Sequence, residues 1–374
     1  MNGSIRLGNL FGIPLYVHPS WFLVLGLMTF WYGGYLANQF PGLMAPLPLL
    51  LGLVAALLLF ASVLAHELGH SLVAIRQGIE VKSITLFLFG GLASLEKESK
   101  TPAEAFWVAI AGPAVSLILF TLLKMLSIGI GISGPLSVIV AMVATINLVL
   151  ALFNLIPGLP LDGGNILKSL VWKITDNPYK GVVFASRVGQ LVGWLGISFG
   201  LIPILMLGRF DNIWLALMGW FLLQNAGMSA QSATIQDKLK GLTAEDAVIP
   251  NSPIVAADLS LREFANEYII GKNQWHKFSV TDEEGQLLGE IAVDEMKMIP
   301  TSDWPNTPVR KLMQAVDLST TVQSDQSLLE VVTLLETGKL TQLPVVRDNG
   351  VLVGLLEKAS IIRLLETRAQ TKLA

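Results

Sequence analysis

The chain has 374 residues, of which 52% are hydrophobic, and a formal net charge of −3; its mean hydropathy is +0.61. Such apolarity points to a membrane protein, and the absence of a basic cluster argues against nucleic acid as a partner. Cysteine is absent, which excludes disulfides and thiolate metal sites, so any metal has to be held by His, Asp or Glu.

The charges are unevenly placed. Residues 1–236 hold 11 Lys/Arg and 8 Asp/Glu, and residues 237–374 hold 14 and 20. The second density is ordinary for an aqueous domain, so the expected division is a membrane domain over 1–236 and a soluble domain over 237–374.

In chain order, the opening "MNGSIRLGNLFGIPLYVHPSW" lacks a compact apolar stretch ending in a small-residue cleavage site. The first span is therefore expected to serve as its own insertion signal. Apolar runs follow at about 20–37, 47–75, 105–130, 133–157, 188–207 and 212–230, each near or above the ~20 residues that cross a hydrocarbon core. Six spans put both termini on one side. One alternating set of connecting segments carries 11 Lys/Arg, and the other only Lys124 and Arg209. By the positive-inside rule both termini are expected in the cytoplasm.

Two segments do not read as spans. "IEVKSITLFLFGGLASLEKES" (79–99) begins with β-branched alternation and contains two glycines, which predicts strands shielded by protein at membrane depth. "NLIPGLPLDGGN" (154–165) packs two prolines and three glycines into twelve residues, so a helix should break there.

The tail repeats itself at a spacing of about 65 residues, with copies beginning at Ser252 and Ser319. Each copy reads as a short strand, an Asp-x-Ser-Leu helix start, an amphipathic helix, a strand ending in an acidic Gly turn, a strand and a helix. Two such units could pack as one domain.

Chemistry is concentrated in His66-Glu67-Leu68-Gly69-His70. Residues four apart on a helix differ by about 40° in azimuth, so both imidazoles leave one face and can share an ion. The glutamate between them suits a base acting on the attacking water. The bland alternative is a helix with two satisfied histidines. However, ionisable groups at the bilayer centre cost ~2.5–3.5 kcal/mol on insertion scales and persist there with a partner or a task. A third ligand is still needed, and Asp162 is the best candidate, because it and the histidines fall near the cytoplasmic ends of their segments. An interfacial Asp capping a helix that starts near Asn165 is the alternative. Glu80, Glu96, Glu98 and Glu104 read as solvated, His18 as an interface anchor, and His276 as a surface or strand residue of the tail.

"AHELGH", the following "FGG" segment, "AGPAVS" (111–116), "NLIPGLPLDGG" and the opening "FGIPLYVHPSW" together resemble the site-2 protease family of intramembrane zinc metalloproteases. The tail repeats resemble a pair of CBS domains, at about 241–300 and 305–368. The resemblance implies a polytopic α-helical membrane protein of about six spans with a short membrane-associated β segment, followed by a cytoplasmic α/β CBS pair. It implies one Zn2+ per chain on His66, His70 and Asp162, with Glu67 as general base and Asn154 holding the substrate carbonyl or its oxyanion. Asn147 is expected to make a structural hydrogen bond, and "AGPAVS" a tight helix contact without chemistry. Expected substrates are single-pass membrane proteins, such as anti-sigma factors already trimmed on the outer side. The strands near 80–95 would either lend an edge to an extended substrate or simply close the cytoplasmic face.

CBS pairs often bind adenine nucleotides through a Thr and an Asp three and six residues after a strand glycine. Here those positions are Ala292 and Glu295 after Gly289, and Glu357 and Ser360 after Gly354. Both copies depart from the pattern, so an adenine-nucleotide site stands beside a dimerisation or gating role. The competing function of a different class is a CBS-regulated ion transporter using the His/His/Asp cluster as its ion site. Glu67 discriminates, since a transporter has little use for a non-ligating acid between the histidines.

Overall fold

Phe11 and Gly12 both have positive φ, 52° and 82°, the mirror-image turn that matches the twist of a two-residue hairpin. In this computed structural model, which describes residues 3–87, 90–271, 275–315 and 321–371, they join β1 (Ile5–Leu10) to β2 (Ile13–Val17). The polar and glycine residues within Ile5–Leu10 hide this hairpin from a periodicity reading. β2 runs parallel to β3 (Val81–Phe87), which pairs antiparallel with β4 (Gly90–Leu95). The sheet order is β1-β2-β3-β4, so β4 is an edge strand. The strands expected within 79–99 are present as β3 and β4, while the residues between them, 88–89, lie outside the described set, as does Ser319.

The helices of this unit are α1 (Ser20–Gln39), α2 (Leu47–Arg76), α3 (Pro102–Gly129), α4 (Pro135–Asn154), α5 (Asp162–Thr175), α6 (Pro178–Leu207) and α7 (Ile213–Leu239). Among the described residues, α1, α2, α3, α4 and α6 are long and apolar enough to cross a membrane. The sixth expected span falls on α7, which is helical but not among these five. Gln224, Asn225 and a serine-containing end dilute its apolar character.

Sequence chemistry sets several helix boundaries. Thr101 and Glu104 form a reciprocal capping box that starts α3. Asn177 accepts the Tyr179 and Lys180 amides, with Pro178 at the first helical position, so α6 begins ten residues before its apolar run. Close packing comes from missing side chains. A Cβ at Gly52 of α2 would strike the Thr29 carbonyl and the Gly33 amide of α1, which is how small residues bring membrane helices together.

The chain divides into two compact units, Met1–Thr234 and Ile235–Ala374. In the second, β5 (Ile254–Ala256), β6 (Lys277–Thr281), β7 (Leu287–Ala292) and β8 (Gln314–Ala315) form one sheet around α8 (Leu261–Phe264). The other sheet holds β9 (Val322–Gln323), β10 (Gln342–Val346) and β11 (Leu352–Glu357), with α9 (Leu328–Thr337) and α10 (Lys358–Thr371). The repeat is visible in the register. Val280 pairs with Gly289 and Val345 with Gly354, and each pairing is followed by an irregularity at the next residue. The two cores also exchange segments. Leu242, Ala244 and Ala247 pack with Leu328, Val345 and Leu356, whereas Val309 packs with Phe264, Phe278 and Ile291.

Candidate metal and catalytic site

His66 and His70 leave the same face of α2, as their spacing requires. Asp162 reaches them from the first turn of α5. Asp162 Oδ2 lies 3.0 Å from His66 Nε2 and 3.3 Å from His70 Nε2, and the two Nε2 atoms are 3.3 Å apart. Four ligands around zinc at about 2.0–2.2 Å stand roughly 3.3–3.6 Å from one another in a tetrahedron, close to the observed triangle. The donor chemistry agrees. His70 Nδ1 donates to the Val108 carbonyl at 2.6 Å, which leaves a neutral His70 with a bare lone pair on Nε2. Lone pairs and a carboxylate oxygen converging on one point form a cation site. Among the described residues this is the one cluster of three His or acidic side chains with such convergence, and it fits a zinc ion.

The Pro- and Gly-rich break positions Asp162. α4 ends at Asn154, turns occupy 155–161, and α5 starts at Asp162 itself rather than near Asn165. The carboxylate therefore sits at the positive end of α5. Two glycines allow the turn to close on the helix. A Cβ at Gly163 would strike the Leu155 and Ile156 carbonyls, and one at Gly164 would strike the backbone of Gly158 and Leu159. Gly158 and Gly189 meet in the same way, seating the loop on α6.

Glu67 points from α2 toward β4. Its carboxylate accepts the Ala93 amide, and a Cβ at Gly91 would overlap Glu67 Cγ. The free edge of the sheet thus lies against the glutamate. Both line a cavity of about 460 Å3 together with His66, His70, Asn154 and Asp162. Asn154 is half-buried, and its Nδ2 donates to the Leu150 carbonyl at 3.0 Å.

Other expected residues lie elsewhere. His18 is exposed and paired with Ser20. Asn147 is fully buried, donating to Ser62 Oγ and the Val143 carbonyl, both at 2.9 Å. His276 is exposed in the tail. Glu98, expected to be solvated, has an exposed side chain but pairs at 3.2 Å with Lys168, whose side chain is largely covered, at the cavity wall.

Sequence reasoning missed the contribution of α3. "AGPAVS" does make tight contact, but with the ligands themselves. Ser116 Oγ is 3.0 Å from His66 Nδ1, and a Cβ at Gly112 would overlap Nε2 of both histidines. The available signal was the four-residue spacing of positions 108, 112 and 116, the same spacing as His66 and His70.

Comparison with known proteins places the chain among relatives. The family described as Peptidase family M50 matches residues 54–137 and 132–196, and the CBS domain matches residues 303–367. A Synechocystis sp. relative named "Putative zinc metalloprotease sll0528" is 59% identical over 369 residues, covering 99% of this chain and 97% of the relative. A zinc metalloprotease of Methanocaldococcus jannaschii is 30% identical over 381 residues, the full length of both chains. The solved site-2 protease from the same archaeon is 30% identical, covers 61% of this chain and 95% of its own, and superposes with a TM-score of 0.43.

Proposed function

Because the chain belongs to peptidase family M50, the multi-pass zinc metalloproteases of the site-2 protease type, we propose that it hydrolyses a peptide bond within or near the membrane segment of single-pass membrane proteins. In this reading His66, His70 and Asp162 hold one zinc ion, Glu67 is the general base, and Asn154 steadies the substrate carbonyl. The observation that carries it is the convergence of two Nε2 atoms and one carboxylate oxygen beside Glu67 in a single cavity.

A zinc ion bound there supplies Lewis-acid polarisation and lowers the pKa of water toward ~7. The chain's own residues do the rest. Glu67 takes a proton from the attacking water and returns it to the leaving amine, a role that general acid–base groups fill with about 10²–10⁴-fold effect. The Ala93 amide holds one face of that carboxylate. The outer edge of β4 offers backbone groups to an unwound substrate, which a helical segment needs because its carbonyls are otherwise bonded internally. In this reading Asn154, in the last turn of α4, exchanges its bond to the Leu150 carbonyl for one to the substrate oxygen.

We place the functional division at residues 236/237, with both termini cytoplasmic and α7 as the sixth crossing. The tail is read as a tandem CBS pair that modulates activity, by dimerisation or by an adenine nucleotide. The shared register of β6/β7 and β10/β11 supports two equivalent halves. Ser360 Oγ already donates to the Ala247 carbonyl at 2.6 Å, so a nucleotide would have to displace that bond. Titration calorimetry of AMP, ADP and ATP into the full chain separates the two modes, with heat expected only for a nucleotide site.

The central test is cleavage of a single-span substrate by wild type and Glu67→Gln, with zinc measured in both. Equal zinc and a loss of turnover of about 10²-fold or more are expected for the variant. Undiminished cleavage by Glu67→Gln would remove the glutamate from the mechanism.

A further inference from the structure

We propose that α3 is a structural wall of the metal centre, with Ser116 the positioning residue that fixes the ring of His66. The inference rests on the His66–His70–Asp162 reading above and extends it to a helix that contributes no ligand.

Val108, Gly112 and Ser116 are four residues apart, so they share one stripe of α3. Each meets the site differently. The Val108 carbonyl can only accept, so its 2.6 Å contact puts the His70 proton on Nδ1 and turns the Nε2 lone pair to the site. Ser116 is fully buried, and its hydroxyl lies 3.0 Å from His66 Nδ1, 50 residues away in sequence. A hydroxyl can accept the Nδ1 proton, and in that tautomer the Nε2 lone pair of His66 is free for the metal. Gly112 sits between them, where any side chain would occupy the space of both Nε2 atoms.

The spacing of α3 therefore matches that of the two histidines: one stripe fixes the tautomer of His70 through an acceptor-only carbonyl and holds the ring of His66 through a hydroxyl. If Ser116 only filled space between helices, alanine would nearly replace it. A hydroxyl oriented onto a ligating imidazole does more, since outer partners of this kind typically contribute about 10–100-fold in metal affinity.

The test uses full-length protein in detergent, comparing wild type, Ser116→Ala, Ser116→Thr and Gly112→Ala. Zinc affinity is read by chelator competition, ligand geometry by the absorption of the Co2+-substituted protein, and folding by the melting temperature of the metal-stripped form. Ser116→Ala is expected to bind zinc about 10–100-fold more weakly and to shift the Co2+ bands, with only the small drop in metal-free melting temperature that loss of one buried hydrogen bond brings. Ser116→Thr, which keeps the hydroxyl, is expected to recover most of the affinity, and Gly112→Ala to retain little zinc. Wild-type affinity and spectrum in Ser116→Ala would overturn the proposal, as would weakened affinity with an unchanged spectrum. If wild type takes up zinc and the variants match it, only the role of α3 fails. If wild type takes up none, the metal reading itself fails.

Discussion

His66 and Asp162 are 96 residues apart in the chain, yet Nε2 of one lies 3.0 Å from Oδ2 of the other. The contact joins the C-terminal half of one membrane helix to the first turn of a short amphipathic one. It depends on a loop so tight that Gly163 and Gly164 have backbone where a side chain would be.

Removing that carboxylate should separate metal from fold. Asp162→Ala is expected to lower zinc retained after chelator washing by more than the roughly 10–100-fold seen for outer-sphere partners, and to abolish cleavage. Zinc per chain by elemental analysis checks it. A variant that keeps one zinc per chain under the same wash would mean that another group completes the site.

Gly91 tests the contact between β4 and the glutamate. A side chain there would overlap Glu67 Cγ, so Gly91→Val should displace either the carboxylate or the strand. Turnover is expected to drop by about 10-fold or more with zinc content unchanged. Normal turnover in Gly91→Val would show that Glu67 does not need its present position.

In the tail, Ser260 and Glu263 form a reciprocal capping box at α8. The Ser260 side-chain and backbone hydrogen bonds hold the exposed Glu263 carboxyl below its ordinary value of 4.5. A carboxyl lowered on folding stabilises above its unfolded pKa and loses that contribution as pH falls through the folded one. Ser260→Ala removes the cap, a change that costs about 1 kcal/mol in typical helices. Faster amide exchange over residues 260–264 is therefore expected at neutral pH, with the difference from wild type shrinking in acid. Hydrogen-exchange mass spectrometry at both pH values decides it.

Orientation can be tested cleanly because the chain has no cysteine. Single cysteines at Ser4, Ser133 and Ser302 should give two classes in sealed vesicles. Ser4→Cys and Ser302→Cys are expected to react with an impermeant maleimide from the cytoplasmic face, and Ser133→Cys from the other. Labelling of Ser4→Cys and Ser302→Cys from opposite faces would mean that α7 does not cross.

The sequence by itself determined what depends on neighbours along the chain. Helical periodicity puts His66 and His70 on one face, apolar run lengths locate α1 to α4, and the glycine–proline cluster ends α4 before Asp162. The tail repeat was equally legible, and the matching strand registers follow it. What failed was also local in origin: β1 has polar and glycine residues where alternation is sought, and α6 starts on a capping asparagine upstream of its apolar run.

Only the tertiary structure decided which parts meet. The contact of Asp162 with the histidines, the Ser116 hydroxyl on His66, the Val108 carbonyl on His70 and the packing of Gly91 against Glu67 all cross between elements. Their distances depend on how closely two backbones approach, and that is set by where side chains are missing on both partners at once. Gly112 is the clearest case. Nothing in "AGPAVS" shows what fills the space left by its absent side chain, and the answer is two imidazole nitrogens on another helix.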